Sequence, residues 1–197
     1  IFQGVIDQET ENKMELSLKT INFRDLDVNF DNGYSGRIIN NLVRGKQCIE
    51  SVKIRWNILG KDNMDEAKQV LLGLPCMRKC DIHNPSAIVD DEILVHLIKN
   101  SSDVFLSVAT MAISSITAEG LAKAFEILCK SSETKEARFC VRERVMADFI
   151  NKLDSATIEF DFSSYATVKH RKSGATLHYP VIHGATTSCA VTMNSHL

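Results

Sequence analysis

Apolar residues occur at every second position in several short segments of the chain. In one of them, Val52, Ile54 and Ile58 fall on the same side of an extended chain. Alternation of this kind is typical of a strand with one buried face. The pattern predicts β-strands over residues 13–23, 52–59, 105–116, 157–168 and 175–182.

Apolar residues three and four positions apart indicate helices elsewhere. Thr117 is a suitable N-cap, and Leu121, Phe125 and Leu128 behind it form one apolar stripe. The same spacing predicts helices over residues 36–44, 64–72, 90–100, 118–130 and 136–153, the last being the longest. Residues 25–33 and 76–86 lack a clear period and are expected to form a turn and a loop.

The order of these elements, β-α-β-α-α-β-α-α-β-β, lacks the regular alternation of a parallel α/β sheet. It predicts an α+β fold: a single domain in which an antiparallel sheet packs with several helices and ends in a C-terminal β-hairpin. We expect residues 1–13 to be a polar leader, 14–184 the domain and 185–197 a C-terminal tail. The pattern shows no internal repeat.

Composition narrows the class of protein. Hydrophobic residues make up 44% and charged residues 24% of the 197 residues, which is ordinary for a globular domain. The longest apolar stretch, residues 104–116, is too short and too polar for a membrane span.

The six cysteines are scattered along the chain, which favours reduced thiols over a disulfide framework. Reduced thiols in turn favour an intracellular location, in the cytoplasm or nucleus of a cell.

Basic residues are the clearest functional signal in the sequence. The net charge is only −2, but no Asp or Glu follows Asp161. Two groups are candidates for binding anionic lipid or nucleic acid: Arg138, Arg142 and Arg144 on the long predicted helix, and Lys169, His170, Arg171 and Lys172 at the hairpin tip. The alternative is that these charges only keep the surface solvated.

Cys76, Cys80 and His83 form the tightest group of possible metal ligands. Thiolate and imidazole suit zinc, but a fourth ligand would have to come from Cys48 or Cys189. The spacing matches no common zinc module. We therefore expect neither a metal nor another cofactor, and these residues stay weak candidates.

No recognisable catalytic motif is present. The chain lacks a Gly-x-Ser-x-Gly elbow, a phosphate-binding glycine loop and a His-Glu-x-x-His zinc motif. Its nine glycines are not clustered. We expect a protein that is not an enzyme.

The arrangement resembles the matrix proteins of rhabdoviruses. The similarity lies in the order of elements: the first strand, the short helix around residues 38–43, the strand ending Trp56-Asn57-Ile58-Leu59-Gly60, and the final hairpin at residues 169–175 (KHRKSGA). It implies a virion structural protein that self-associates, binds the viral nucleocapsid or RNA and attaches peripherally to anionic membrane. Two features depart from that family: residues 1–13 have no Pro-rich budding motif, and two helices lie between Trp56 and Phe105.

The leading hypothesis is therefore a non-enzymatic, matrix-like viral assembly protein that acts in the virion and the host cell. The alternative is an intracellular adaptor or RNA-binding interaction module, in which the same charges bind nucleic acid.

Overall fold

The computed structural model describes residues 9, 12–13, 23–30, 36–43, 46–56, 64–83, 88–107, 115–154, 158–162, 165–180 and 189–195. Most of the first predicted strand (residues 14–22) and part of the third (108–114) lie outside these ranges. Of the predicted leader, the structure describes residues 9, 12 and 13, which are helical.

From Phe23 onward, the described residues form one sheet of nine strands and five helices. The strands are β1 Asp25–Phe30, β2 Cys48–Trp56, β3 Cys76–His83, β4 Ser101–Ser107, β5 Glu136–Val141, β6 Ile158–Phe162, β7 Tyr165–His170, β8 Thr176–Pro180 and β9 Cys189–Asn194. The helices are α1 Gly36–Val43, α2 Met64–Leu72, α3 Asp91–Asn100, α4 Ala118–Lys130 and α5 Glu143–Ile150. The predicted α+β class is confirmed.

The sheet has the order β1-β2-β3-β4-β5-β9-β8-β7-β6. Strands β1 to β5 run parallel, each beside the next along the chain. Strands β9, β8, β7 and β6 continue the sheet in antiparallel pairs. The sheet is therefore mixed, and the predicted C-terminal hairpin is present as β7 and β8.

The parallel half contains a repeat that the sequence pattern did not indicate. The spacing apolar-x-x-apolar-x-apolar occurs at each of the first three strands, for example at Ile49, Val52 and Ile54 of β2. In β4 only its last two apolar positions recur, at Val104 and Leu106. These units begin at Phe23, Ile49, Met77 and Ser101, at intervals of 24 to 28 residues. The repeat is hard to see in the sequence because Cys80 and Ser101 take positions where Val or Leu would be expected.

Register converts this spacing into continuous apolar rows. Val52 pairs with Cys80, which pairs with Val104, and Ile54 pairs with Ile82, which pairs with Leu106. All six side chains are at most 3% exposed. Each row therefore crosses from strand to strand without interruption, and the rows form the sheet side of the core.

The helices cover one face of the sheet. Right-handed connections between sequential parallel strands place α1 to α4 on the same side, and α5 packs against α4 at the end of this series. Phe125 of α4 meets Phe149 of α5 edge to face, with ring centroids 6.2 Å apart. The other helix residues in the core are Ile39, Val43, Ala67, Val70, Leu71, Ile93, Leu94, Leu97, Ile98, Ala118, Leu121, Ala124, Leu128 and Met146.

Three predicted elements are wrong in type. Cys76–His83 is strand β3, not a loop, and Asp25–Phe30 is strand β1, not a turn. The predicted helix over residues 136–153 is instead strand β5 followed by the short helix α5. In β5, Ala137, Phe139 and Val141 alternate into the core, and helical spacing begins only after Arg142.

The predicted C-terminal tail is also corrected. Cys189–Asn194 is β9, which lies between β5 and β8 in the middle of the sheet. Val191 and Met193 are buried there, and Ser195 Oγ accepts a hydrogen bond from the Lys135 amide at 2.7 Å. The last strand therefore joins the parallel and antiparallel halves.

Asp90 ties the helix layer together at the start of α3. Its carboxylate accepts hydrogen bonds from the Ile93 amide at 3.1 Å and from Lys68 Nζ of α2 at 2.8 Å. Partial burial by itself raises the pKa of Asp90, but the bonds from Lys68 and Ile93 outweigh it and hold this pKa below 3.8. Asp90 is thus both an N-cap and an ion-pair partner.

We expect Asp90→Ala to lower the free energy of unfolding by about 1–2 kcal/mol, because it removes the cap and the ion pair. Asp90→Asn keeps a capping oxygen and should lose clearly less. Since the pKa of Asp90 is depressed in the folded state, the ion-pair contribution is present above the ordinary carboxyl pKa and is lost as the pH falls through the folded value. Urea unfolding at pH 7 and pH 3 measures this, and equal losses for the two variants at pH 7 would contradict the capping role.

Candidate protein-interaction surface

The face of the sheet opposite the helices is polar, and we call it the open face. No element among the described residues packs over it. Its central row, one residue per strand across the sheet, is Asp27, Lys53, Asp81, Phe105, Arg138, Thr192, His178, Thr167 and Asp161. A second row is Asp25, Ser51, Lys79, Asp103, Glu136, Asn194, Thr176, Lys169 and Glu159, and a shorter third row is Asn29, Arg55, His83 and Ser107.

The open face follows directly from strand geometry. Successive side chains of a strand point to opposite sides, so the residues between the buried apolar positions must point away from the helices. Register then aligns them from strand to strand. One alternating pattern therefore produces both the core and a wide, ordered polar surface.

Phe105 lies at the centre of the open face. It is half-buried, and the Arg138 guanidinium of the neighbouring strand sits 5.2 Å from its ring centroid. On its other side the His83 ring meets it edge to face, at a centroid distance of 6.3 Å. Phe105, Arg138 and His83 form what we call the central cluster, an aromatic ring between two cationic or titratable groups.

Acidic residues surround the central cluster. Arg138 Nη2 lies 3.4 Å from Asp103 Oδ1, and Arg138 Nε lies 3.3 Å from Glu136 Oε1. The second of these is an ionic contact without hydrogen-bond geometry, because Arg138 Nε is buried with no hydrogen-bond partner. Arg138 is therefore held over Phe105 by a hydrogen bond that Nη2 donates to Asp103 and by an ionic contact with Glu136.

His83 has a similar relation to Asp81. His83 Nε2 and Asp81 Oδ1 are 3.0 Å apart. Both atoms are shielded from solvent, but the contact between them lacks the geometry of a hydrogen bond. This contact places the carboxylate of Asp81 against the imidazole at the edge of the central cluster.

A second ion pair lies towards the β1 edge. Arg55 donates two hydrogen bonds to Asp27, from Nη1 at 2.9 Å and from Nη2 at 3.2 Å. This two-point pairing fixes the guanidinium plane between β1 and β2. Lys53 and Lys79, by contrast, form no ion pair with any described residue and present free ammonium groups.

The three arginines predicted to lie on one long helix are in two places. Arg138 is on the open face, whereas Arg142 and Arg144 lie at the start of α5. The latter two line a groove of about 700 Å³ between α4 and α5 that also contains Glu119 and Asp148. Arg144 pairs with Asp148 at 3.9 Å, so the groove has mixed charge.

The predicted basic hairpin is divided as well. Lys169 is on the open face of β7, and Arg171 pairs with Glu159 at 2.8 Å. The His170 ring interacts with Ser173 Oγ at 2.8 Å and with its amide at 3.1 Å, which closes the turn. His170 and Lys172 line one groove beside α4, away from Lys169 and Arg171. The four residues do not converge on one ligand.

The weak metal candidates are also separated. Cys80 is fully buried in the core, and burial strongly raises the pKa of its thiol. His83, three residues later, lies on the open face. Within the described residues, no group of three or more His, Cys, Asp or Glu side chains is arranged to hold a metal ion.

Sequence reasoning missed Phe105, His83 and Asp81 as surface residues. Phe105 was assigned to a long apolar strand, and the segment containing Asp81 was assigned to a loop. The missed signal was the period-two alternation from Cys80 to His83, which is visible only if Cys80 is counted as apolar.

Comparison with known proteins gives no relative. The chain matches no protein-family model, and no curated protein or solved structure is significantly similar to it. Among the described helices, none combines the length and apolar character needed to cross a bilayer.

We expect Phe105 and Arg138 to be energetically coupled. A double-mutant cycle with Phe105→Leu and Arg138→Met should give a favourable coupling of about 0.5–1 kcal/mol in urea unfolding. The matched cycle pairs Phe105→Leu with Arg144→Met. Arg144 lies on α5, away from Phe105, so this cycle should give no coupling. Equal coupling in both cycles would show that the effect is not due to the stacked contact.

Cys80 should behave as a core residue without metal. We expect Cys80→Ser to cost about 1–3 kcal/mol, because it buries a hydroxyl group, and Cys80→Ala to cost less. A chelator should leave the Tm of the wild type unchanged. A chelator-dependent fall in Tm, together with bound zinc by mass spectrometry, would instead restore the metal hypothesis.

Proposed function

We propose that this protein is a non-enzymatic interaction module that binds a protein partner through the open face. The observation that carries the proposal is the central cluster on an ordered polar sheet face that no described element covers. This is the adaptor alternative from the sequence, now with a specific surface.

The balance of charge favours a protein over a polyanion. The acidic residues of the open face are Asp25, Asp27, Asp81, Asp103, Glu136, Glu159 and Asp161, and its basic residues are Lys53, Arg55, Lys79, Arg138 and Lys169. Acids outnumber bases, whereas nucleic-acid affinity depends on many unopposed Lys and Arg. A surface of mixed charge suits a protein of complementary mixed charge.

The composition of the central cluster also supports protein binding. Aromatic residues and arginine dominate the energetics of protein interfaces, and they concentrate near the interface centre. Phe105 and Arg138 occupy the middle of the nine-strand row, and charged residues flank them. A partner covering this region would exclude water from the stacked pair.

The repeated strand–helix unit gives a third argument. Arrays that stack such units, including leucine-rich repeats, commonly use the extended face they create as a binding surface. The parallel half of this sheet repeats a unit of that size and apolar spacing.

The matrix-like hypothesis stays a prediction. Among the basic residues selected for it, Arg142, Lys169 and Lys172 form no ion pair with a described residue and are the ones available to an anionic surface. Flotation with anionic and neutral liposomes at low and high salt tests it. Salt-sensitive flotation with anionic lipid alone would favour that hypothesis, especially if Lys169→Gln and Lys172→Gln abolish it.

The interaction proposal is tested by a matched pair of arginine variants. We would express the tagged chain as wild type, Arg138→Gln and Arg144→Gln, and quantify co-purified proteins by mass spectrometry. Arg138→Gln should reduce recovery of the partner at least tenfold, because it removes a charged group at the interface centre. Arg144→Gln, with the same change on α5, should bind as the wild type does.

Sedimentation of the same proteins distinguishes a separate partner from a second copy of the chain.

In the co-purification experiment, equal loss of the partner in both arginine variants, or its retention in both, would contradict recognition by the open face. Co-purification dominated by RNA, and abolished by nuclease, would favour the RNA-binding alternative.

A further inference from the structure

Cys48 and Cys76 are register partners at the starts of two neighbouring parallel strands. β2 begins at Cys48 and β3 at Cys76, and the sheet pairs these two residues directly. Register partners on adjacent strands direct their side chains to the same side of the sheet. The backbone therefore places the two thiols next to one another.

Both thiols are free and exposed to solvent. This distinguishes them from the other described cysteines, since Cys80 is buried and Cys129 and Cys140 are half-buried. A thiol must be accessible to react with a solute. Among the five cysteines whose side chains the structure describes, Cys48 and Cys76 are thus the two exposed ones.

The separation is compatible with a disulfide. Neighbouring strands lie about 4.8 Å apart, and disulfides span Cα distances of about 4.4–6.8 Å. The value lies within this range, and exposed disulfides are among those most easily reduced. A Cys48–Cys76 bond would form without a change of fold and would be reversible.

Charge near the pair influences its reactivity. Partial burial is the largest cause that raises the pKa of Cys76, and contact with the Cys48 thiol raises it further. The Lys135 ammonium acts in the opposite direction and lowers this pKa. Lys135 Nζ is held there by three backbone carbonyls, those of Ile98 at 3.1 Å, Lys99 at 3.2 Å and Ser101 at 2.8 Å.

We propose that Cys48 and Cys76 form a dithiol modification site that reacts with small-molecule disulfides. One cysteine thiolate attacks the small disulfide, forms a mixed disulfide and releases one small thiolate. The second cysteine, after losing its proton, attacks the mixed disulfide, forms the Cys48–Cys76 bond and releases the other small thiolate. The protein loses two electrons and two protons, and the small disulfide is reduced to two thiols.

Oxidised glutathione is the probe for this site. The wild type is incubated with oxidised glutathione, and its remaining thiols are then counted by alkylation. It should lose two of its six thiols and retain no glutathione. Trypsin places every cysteine in a separate peptide, because Lys or Arg lies between each successive pair. Mass spectrometry should therefore identify peptide 47–53 linked to peptide 69–78, and a reducing agent should restore both thiols.

The single variants test whether the second thiol is needed to displace glutathione from the mixed disulfide. Cys48→Ser and Cys76→Ser lack the resolving thiol and should each retain one glutathione on the remaining cysteine. Cys129→Ser, with the pair intact, should form the linked peptide as the wild type does. Circular dichroism before oxidation confirms that each variant is folded.

Three outcomes would overturn the proposal. The wild type could retain stable glutathione adducts, which would show that the second exchange does not occur. The linkage could join other cysteines. The wild type and both single variants could resist oxidation altogether, which would show that the pair does not react with small disulfides.

Discussion

One-sided burial of the sheet is the constraint on which the rest of the structure depends. The parallel strands align Val52, Cys80 and Val104 in one row and Ile54, Ile82 and Leu106 in the next, and the helices cover those rows. Because side chains alternate, the residues between them must face outwards. The core, the single layer of helices and the open face are thus consequences of the same spacing.

The same constraint explains how the chain changes from parallel to antiparallel pairing. After β5 the chain forms α5 and returns through β6, β7 and β8, and β9 is inserted beside β5. Val191 and Met193 of β9 extend the apolar surface, and Leu177 and Val168 continue it towards the far edge. The last parallel strand, β5, therefore pairs with β9 and is not an edge of the sheet.

Sequence pattern predicted the helices better than the strands. Helix α4 matches its predicted bounds because Thr117, an apolar stripe and a clear end at Ser131 all agree. Strand β5 was assigned to a helix because its alternating Ala137, Phe139 and Val141 run directly into the helical spacing of α5. A single window of apolar residues does not separate two periods that follow one another without a turn.

Strands β3 and β9 were missed for a different reason. Their burial depends on neighbours distant in the sequence: β3 lies between β2 and β4, and β9 between β5 and β8. Cys80 in the core of β3 looks like a possible metal ligand in the sequence, and only its neighbours in space show that it is an apolar core residue. Tertiary context determined both assignments.

The candidate site was predicted only in part. Arg138 was selected from its charge, but its role over Phe105 requires the register of β4 and β5. Arg142 and Arg144 were grouped with it because they are close along the chain, whereas the fold places them in the groove between α4 and α5. Of the hairpin residues, Lys169 shares the open face with Arg138, and His170 and Lys172 line a different groove. Charge is visible in a sequence, but the grouping of charges depends on topology.

Site-specific photo-crosslinking tests the central claim most directly. A photoreactive amino acid would be placed at Phe105 on the open face and, separately, at Lys123 on the solvent side of α4. Our account predicts crosslinks to a discrete protein partner from position 105 and none to that partner from position 123. Crosslinks from position 123 alone, or equally from both positions, would contradict recognition by the open face.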